Sequence, residues 1–164
     1  MNTRNKILFF CLISISFIGC DRITKTIAKE HLMNKPSYSY FNDMLRLEYT
    51  ENTGAAFGFG DNLNASVAFW FLGIFPLVAL LGMFLYMISK SKDLSPLKLF
   101  AASLIISGGL GNIIDRLIFH RHVTDFLNVG MLNIRTQVFN VADMCVTFGV
   151  LLLVVIYFKK PKTA

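Results

Sequence analysis

The sequence predicts an all-α integral membrane protein with four transmembrane helices, both ends cytoplasmic, and a small extracytoplasmic β-sheet formed by the outer loops. Three observations predict this fold class: a low content of charged residues, long uncharged segments, and basic residues grouped between alternate segments. Of the 164 residues, 54% are hydrophobic and 16% are charged, whereas about a quarter of the residues in soluble domains are charged. This shortage of charge indicates that lipid solvates much of the chain.

Three long segments without a charged residue are candidate membrane spans: Asn62 to Ser89, Leu99 to Ile114 and Met144 to Phe158. A spanning helix needs about 20 mostly apolar residues, so the first segment is long enough alone and the others need a few flanking polar residues. A fourth apolar run, Ile7 to Cys20, is shorter and suits either a span or the core of a signal peptide.

The basic residues indicate how the chain crosses the membrane. They precede the first apolar run, lie between the second and third, and follow the last: Arg4, Lys6, Lys90, Lys92, Lys98, Lys159, Lys160 and Lys162. Segments 21–61 and 119–138 mix both signs, so the positive-inside rule places both chain ends in the cytoplasm and favours four spans. The basic residues form no stripe with aromatic neighbours, so the net charge of +6 does not predict a nucleic-acid partner.

No repeat or interdomain linker interrupts the chain, so we expect a single membrane domain over residues 1–164. Its predicted spans cover about residues 6–28, 64–89, 97–119 and 138–158, and its outer loops cover about 29–63 and 120–137. The alternating residues Met44 to Tyr49 predict a strand in the first loop, and we expect a small sheet to rest on the outer membrane surface. Val123 to Leu127, in the second loop, suits either a strand or a short helix.

Small residues recur through the third span at four-residue spacing, at Ser103, Ser107 and Gly111, beside Gly108 and Gly109. Small side chains allow helix backbones to approach closely in a membrane. A phosphate-binding glycine loop is the alternative, but it requires a preceding strand, and no strand pattern comes before these residues. The spacing therefore predicts close helix packing.

Ionisable and amide side chains gather at the predicted outer ends of the spans. An ionisable group inside a membrane costs at least about 2.5 kcal/mol, so each one is a candidate functional residue. The group consists of Asp21, Lys25, Asn52, Asn112, Asp115, Arg116, Asp125, Asn140 and Asp143. The alternative is that several of them only stabilise helix ends, with Asp21 pairing with Lys25, Asp115 pairing with Arg116 or Arg121, and Asn140 capping the fourth helix.

Asp125 and Asp143 are far enough apart in the sequence for the chain to leave one helix, turn and enter the next. Their carboxyls can therefore reach the same level of the bundle. Two carboxyls a few ångströms apart do not both ionise, so one keeps a proton while the other can accept one. Aspartic proteases activate water with this arrangement.

Five short segments follow one another through the predicted outer face: Asp21-Arg22-Ile23-Thr24-Lys25, Asn52-Thr53-Gly54-Ala55-Ala56-Phe57, Gly111-Asn112-Ile113-Ile114-Asp115-Arg116, Val123-Thr124-Asp125-Phe126 and Phe139-Asn140-Val141-Ala142-Asp143. In order and spacing they resemble the successive motifs of the bacterial lipoprotein signal peptidase family, signal peptidase II. The resemblance extends over four spans and both outer loops. Two positions depart from it: Arg22 stands where the family often has glutamine, and Thr136-Gln137 where it has tryptophan and proline.

The resemblance implies a four-helix membrane peptidase in which Asp125 and Asp143 form the catalytic pair. It implies that further residues support the site or the substrate: Asp21, Lys25, Asn52, Gly54, Asn112, Arg116 and Asn140. The family removes the signal peptide from a prolipoprotein just before its diacylglyceryl-modified cysteine and is inhibited by the cyclic peptide globomycin. We therefore expect a monomer in the bacterial inner membrane, in contact with lipid, with its active site near the outer face and with neither metal nor cofactor.

Two other functions fit parts of the sequence. Ile18-Gly19-Cys20 follows a basic start and an apolar core, as in a lipidation signal, so the protein could itself be a lipoprotein lipidated at Cys20. Cleavage there would delete the first span. A small transporter is the other alternative, because polar residues within spans also mark ion pathways. The inner halves of these spans are almost entirely apolar, which disfavours a continuous pathway.

Overall fold

The computed structural model describes residues 1–55 and 59–159. Within them, four stretches of helix are long and apolar enough to span a membrane: Thr3–Leu32, Ala65–Ser89, Pro96–Ile118 and Val141–Phe158. The first is α1; the second comprises α2 (Ala65–Ala68), a π-helical segment (Phe69–Ile74) and α3 (Phe75–Ser89); the others are α4 and α5. Ala56 and Phe57 of the second motif, and Lys160 and Lys162, lie outside the described residues.

The two long loops form a four-stranded antiparallel sheet in the order β1 (Tyr38–Tyr40), β2 (Leu45–Asn52), β3 (Val123–Met131) and β4 (Ile134–Arg135). The segment whose pattern suited a strand or a short helix is therefore a strand, β3. A register shift between Leu47 and Thr50 interrupts the pairing of β2 with β3, and such bulges re-aim the residues that follow. The predicted fold class, four membrane helices with a small sheet, is confirmed.

The sheet packs on one end of the helix bundle. Ala28 and Leu32, in the last turns of α1, are buried against Phe126 of β3, with Leu47 and Tyr49 of β2 beside them. Burying apolar side chains between a helix and a sheet is the main favourable contribution to such packing. We call this end, where α1 and α4 finish and α5 begins, the sheet end of the bundle.

α4 is the central helix. Of its most apolar 18-residue window, 56% is buried, compared with 17% in each of the other three spans. The predicted close packing of its small residues is confirmed: a Cβ atom on Gly108 would collide with the carbonyl oxygen of Ala142, and one on Gly111 would lie 2.6 Å from Oδ2 of Asp21. The end of α4 therefore lies tightly between α1 and α5.

Candidate active site

A cluster of polar side chains is buried at the sheet end of the bundle. It contains every residue that the sequence predicted for the site, together with Asp115: Asp21, Lys25, Asn52, Gly54, Asn112, Asp115, Arg116, Asp125, Asn140 and Asp143. Several of these side chains are at most 2% exposed: Asp21, Lys25, Asp115, Asp125 and Asn140. Buried polar groups are costly unless they are hydrogen-bonded or paired, and among the described residues of the cluster the contacts below leave Nε of Arg116 as the buried side-chain atom without a partner.

The first acid of the cluster, Asp125, lies on β3 opposite Thr50 of β2. Two backbone hydrogen bonds of 2.8 Å between Leu127 and Phe139 hold the segment before α5 alongside β3. Asn140 follows Phe139 directly, and its Nδ2 donates to Oδ1 of Asp125 at 2.5 Å. The strand pairing thus places an acid from the sheet beside the first turn of a membrane helix.

Asn140 also holds the second acid, Asp143. Its Oδ1 accepts the Asp143 N–H at 3.0 Å, and Oδ2 of Asp143 accepts the Asn140 N–H at 3.0 Å. This reciprocal pair is a capping box, which satisfies two of the free N–H groups at the start of a helix. A single asparagine is therefore bonded to Asp125 through its side chain and to Asp143 through both its side chain and its backbone.

Asn112 of α4 connects the two acids to a buried lysine. Its Nδ2 donates to Oδ1 of Asp143 at 2.8 Å, while its Oδ1 accepts from Nδ2 of Asn140 at 3.1 Å and from Nζ of Lys25 at 2.9 Å. Because two donors converge on the Asn112 oxygen, its NH₂ group must face Asp143. The lysine and the asparagine thus fix the orientation of one Asp143 oxygen.

Asn52, the last residue of β2, binds the other oxygen of Asp125. Its Nδ2 donates to Oδ2 of Asp125 at 3.2 Å, and its Oδ1 accepts the N–H of Gly54 at 2.9 Å. Gly54 is buried, and its carbonyl accepts from Nη2 of Arg116 at 2.6 Å. Each oxygen of Asp125 therefore accepts one amide hydrogen, from Asn140 and from Asn52.

Lys25 is a buried cation between two buried acids. Its Nζ lies 2.8 Å from Oδ2 of Asp21 and 2.7 Å from Oδ2 of Asp115, and Arg22 also pairs with Asp115. Oδ1 of Asp21 accepts the N–H of Ala142 at 2.9 Å, which satisfies a further N–H in the first turn of α5. This charged group ties α1 to α4 and to the start of α5.

The pairing predicted for Asp115 with Arg116 or Arg121 is wrong. Adjacent residues on a helix point in different directions, so Asp115 and Arg116 do not face each other. Asp115 turns toward α1 and its partners Lys25 and Arg22. Arg116 and Arg121 donate to backbone carbonyls in the chain between β2 and α2.

Asp125, which lies on the sheet and outside the spanning helices, has an unusual proton affinity. Burial, and secondarily the negative charge of Asp143, raise the pKa of Asp125 to about 6. The amide groups of Asn140 and Asn52 oppose this shift because they favour the ionised form. Asp125 can therefore gain or lose a proton close to neutral pH, which proton transfer to or from a reacting group requires.

A cavity of about 390 Å³ opens beside Asp125. Its lining residues are polar except for Val138 and come from β2, β3 and the segments that follow them: Thr50, Glu51, Asn52, Thr53, Asp61, Asn128, Thr136, Gln137 and Val138. The polar lining suits water and an extended peptide backbone. The cavity thus offers access to an acid that is itself only 2% exposed.

Arg22 and Arg121, which lie next to the cluster, were not predicted for the site, and Asp115 was a candidate functional residue with no role assigned to it there. Asp115 was recognised as an acid in a membrane helix, but only the packed bundle shows that it is fully buried beside Lys25. For Arg22, the one signal in the sequence was that an arginine stands where the family often has a glutamine. Among the described residues, the side-chain hydrogen bonds of Arg121 go to backbone carbonyls, and no pattern of residue types predicts such contacts.

The four apolar helices indicate a multi-pass membrane protein, and buried ionisable groups in such helices are candidate functional groups. Residues 13–159 match the family model described as signal peptidase (SPase) II. The chain therefore belongs to the signal peptidase II family, membrane proteases that cleave signal peptides from prolipoproteins. The family predicted from the five motifs is confirmed.

Similar proteins cover nearly the whole chain. The lipoprotein signal peptidase of Borrelia duttonii is 33% identical over 161 residues, 94% of this chain and 93% of the relative. That of Chlorobium phaeobacteroides is 38% identical over 159 residues, 92% and 95% of the two chains. A solved structure of a bacterial membrane enzyme, 26% identical, superposes with a TM-score of 0.78 over 94% of this chain and 93% of the other. These matches favour the peptidase over the lipoprotein and transporter alternatives.

Proposed function

We propose that the protein is an intramembrane aspartic endopeptidase that cuts prolipoproteins just before the diacylglyceryl-modified cysteine, with Asp125 and Asp143 as its catalytic pair. The observation that carries the proposal is Asn140, which bonds to both acids next to a cavity of about 390 Å³. Two carboxyls held near each other share a proton, because both do not ionise together.

In the proposed mechanism the ionised member of the pair takes a proton from water. The protonated member donates a hydrogen bond to the scissile carbonyl oxygen, so the new hydroxide adds to the carbonyl carbon. The tetrahedral intermediate then breaks its C–N bond, and the departing amine of the modified cysteine receives a proton from the pair. Because the two carboxyls act together, the apparent pKa values belong to the pair. These steps use neither metal nor cofactor.

The other residues of the cluster hold the pair in position. Asn52, Asn112 and Asn140 orient the carboxyl oxygens. The charged residues Asp21, Lys25 and Arg116 hold the helix ends and the Gly54 carbonyl. Precise positioning of this kind lowers the barrier because the reacting groups need little further ordering.

We further propose that the sheet end faces the outside of the bacterial inner membrane, so that both chain ends are cytoplasmic. Basic residues near the opposite ends of the helices support this orientation through the positive-inside rule: Arg4, Lys6, Lys90, Lys92 and Lys98. Residues 1–164 act as one peptidase domain and as a monomer in contact with membrane lipid. The catalytic pair then lies where the mature part of a prolipoprotein leaves the membrane.

The test of the proposed function uses the purified protein and one prolipoprotein prepared with and without the diacylglyceryl group on its cysteine. We expect the lipidated form to be shortened to a product that begins with the modified cysteine, as measured by mass spectrometry. Globomycin is expected to block this cleavage, and the unlipidated form is expected to remain uncut. Equal cleavage of both forms, or a cut at another bond, would refute the substrate assignment.

Asn52→Ala is expected to lower kcat by roughly 10- to 100-fold, because misplacing a reacting group by about 1 Å has effects of this size. The amide that orients Oδ2 of Asp125 would be lost, while both carboxyls would remain. Rates on the lipidated precursor measure the effect. Asn133→Ala, which changes an exposed asparagine in the turn between β3 and β4, is the matched control and should cleave like the parent. A parental rate for Asn52→Ala would remove Asn52 from the site.

A further inference from the structure

Arg121 has an unusual set of contacts just beyond the end of α4. Its backbone adopts a φ of 78°, and its N–H donates to the carbonyl of Arg116 at 2.9 Å. Its guanidinium then donates to three more carbonyls, those of Thr53 at 3.2 Å, Gly60 at 3.1 Å and Leu63 at 3.2 Å. One side chain thus binds both described parts of the chain between β2 and α2, residues 53–55 and 59–63, which together are hereafter the 53–63 segment.

The 53–63 segment is connected to the candidate catalytic pair by short steps. Thr53, which Arg121 holds by its carbonyl, stands between Asn52 and Gly54. The N–H of Gly54 donates to Oδ1 of Asn52 at 2.9 Å, and this bond turns Nδ2 of Asn52 toward Asp125. Asn52 and Gly54, whose hydrogen bond orients the Asn52 amide, are the two chain neighbours of Thr53. Moving Thr53 would therefore move both of them.

We propose that Arg121 is a positioning residue for peptide cleavage. By fixing the 53–63 segment to the end of α4, Arg121 sets the position of the Asn52 amide relative to Asp125. The inference rests on the proposed function of the pair. Arg121 itself has no contact with Asp125 or Asp143 among the hydrogen bonds and ion pairs of the described residues. It acts through Thr53 and Asn52.

Arginine is suited to this task because its planar guanidinium carries five N–H donors in a fixed arrangement. A lysine ammonium at the same position has a different shape and reach, so it can replace only part of the set. The 53–63 segment also has internal bonds, from Thr53 Oγ1 to Asp61 at 2.8 Å and from the Ala55 N–H to the Phe59 carbonyl at 2.7 Å. These would keep its two sides joined when Arg121 is truncated, so the expected loss concerns position and not folding.

The experiment measures kcat and KM on the lipidated precursor for Arg121→Ala and Arg121→Lys, each alone and combined with Asn52→Ala. We expect Arg121→Ala to lower kcat by roughly 10- to 100-fold with KM unchanged, and Arg121→Lys to recover part of the loss. In the Asn52→Ala background, either change should lower kcat by less than about twofold, because coupled residues are not additive. Arg46→Ala, which releases Asp43 at the far end of β2, is the matched control and should cleave like the parent.

Three outcomes overturn the inference. A parental kcat for Arg121→Ala, or no effect of Asn52→Ala, would show that this link does not position the pair. The same fold loss in both backgrounds would show that Arg121 acts independently of Asn52. If Arg121→Ala melts far below the parent, the double-mutant cycle of Arg121→Lys with Asn52→Ala tests the inference by the same criteria. A parent that leaves the lipidated precursor uncut refutes the proposed function instead, so the two failures are distinguishable.

Discussion

Asp125→Asn and Asp143→Asn are each expected to lower cleavage of a lipidated prolipoprotein by at least about 10³-fold, as loss of one member of a coupled catalytic unit does. Asparagine has nearly the size of aspartate, but it neither accepts the proton of water nor donates an acidic one. Product formation followed by mass spectrometry measures the loss. Near-parental turnover by either folded variant would refute the pair, and Asp21 and Asp115 would be the acids to test next.

Both variants are expected to fold. In Asp143→Asn the amide oxygen can still accept the Asn140 N–H and so keep the capping box, while the bond from Asn112 is lost. Asp125 accepts from two amides, and an asparagine there keeps one of these bonds and loses the other. Each change leaves one buried amide donor without its acceptor, a cost of about 1–3 kcal/mol. Thermal melting in detergent checks the fold. Asp93→Asn, which changes an exposed acid between α3 and α4, is the matched control for loss of one carboxylate and should retain full activity.

The double variant and the pH profile test whether the two acids work as a unit. Asp125→Asn with Asp143→Asn is expected to be little slower than either single variant, because each one already removes the shared function. The parent should show a bell-shaped pH dependence: at low pH both carboxyls are protonated and no base remains, and at high pH both are ionised and no acid remains. Since burial and Asp143 raise the pKa of Asp125 to about 6, we expect the alkaline loss to begin near pH 6. A profile flat through this region would contradict the pair.

Lys25→Met is expected to destabilise the protein by about 3–5 kcal/mol, the usual cost of removing one partner from a buried ion pair. The ammonium lies 2.8 Å from Asp21 and 2.7 Å from Asp115, and all three side chains are at most 1% exposed. Methionine fills the volume, but among the described ion pairs it leaves Asp115 with Arg22 alone and Asp21 with no cation partner. Cleavage should fall as well, because Lys25 also holds the Asn112 oxygen.

The measurement for Lys25→Met is the melting temperature in detergent, alone and with Asp21→Asn. The double variant should melt above Lys25→Met, because it removes the charge of Asp21, which has lost its cation partner, and keeps an oxygen for the Ala142 N–H. Lys29→Met, one turn further along α1 and exposed, is the matched control and should melt like the parent. If Lys25→Met melted at the same temperature as Lys29→Met, Lys25 would contribute as little to the stability of the fold as an exposed charge does.

The main features of the fold were predictable because they depend on composition along the chain. Uncharged blocks predicted the helices, and the spacing of Ser103, Ser107 and Gly111 predicted where α4 packs closely. The site residues were predictable as a group because ionisable residues are rare in membrane helices unless they have a role. Five motifs in one order then indicated which of them act together.

The contacts within the site were not predictable in the same way. That one asparagine bonds to both acids depends on the pairing of Leu127 with Phe139, which brings together segments whose separate patterns do not indicate it. Asp115 and Arg116 are neighbours in the sequence, and only the packing of α4 against α1 turns them to different partners. The backbone contacts of Arg121 depend on the path of the 53–63 segment, which side-chain types do not encode.

The three asparagines around the acids have a consequence for how the enzyme tolerates its surroundings. Asn52, Asn112 and Asn140 hold the carboxyl oxygens with neutral amide dipoles, and an amide has no proton to gain or lose over the biological pH range. Histidines in the same places would titrate near neutrality and change both the charge and the donor pattern of the site. An amide scaffold keeps its shape and its field when the external medium acidifies. If Asp125 and Asp143 are the catalytic pair, as proposed, acidification would leave unchanged the amide donors that orient their oxygens.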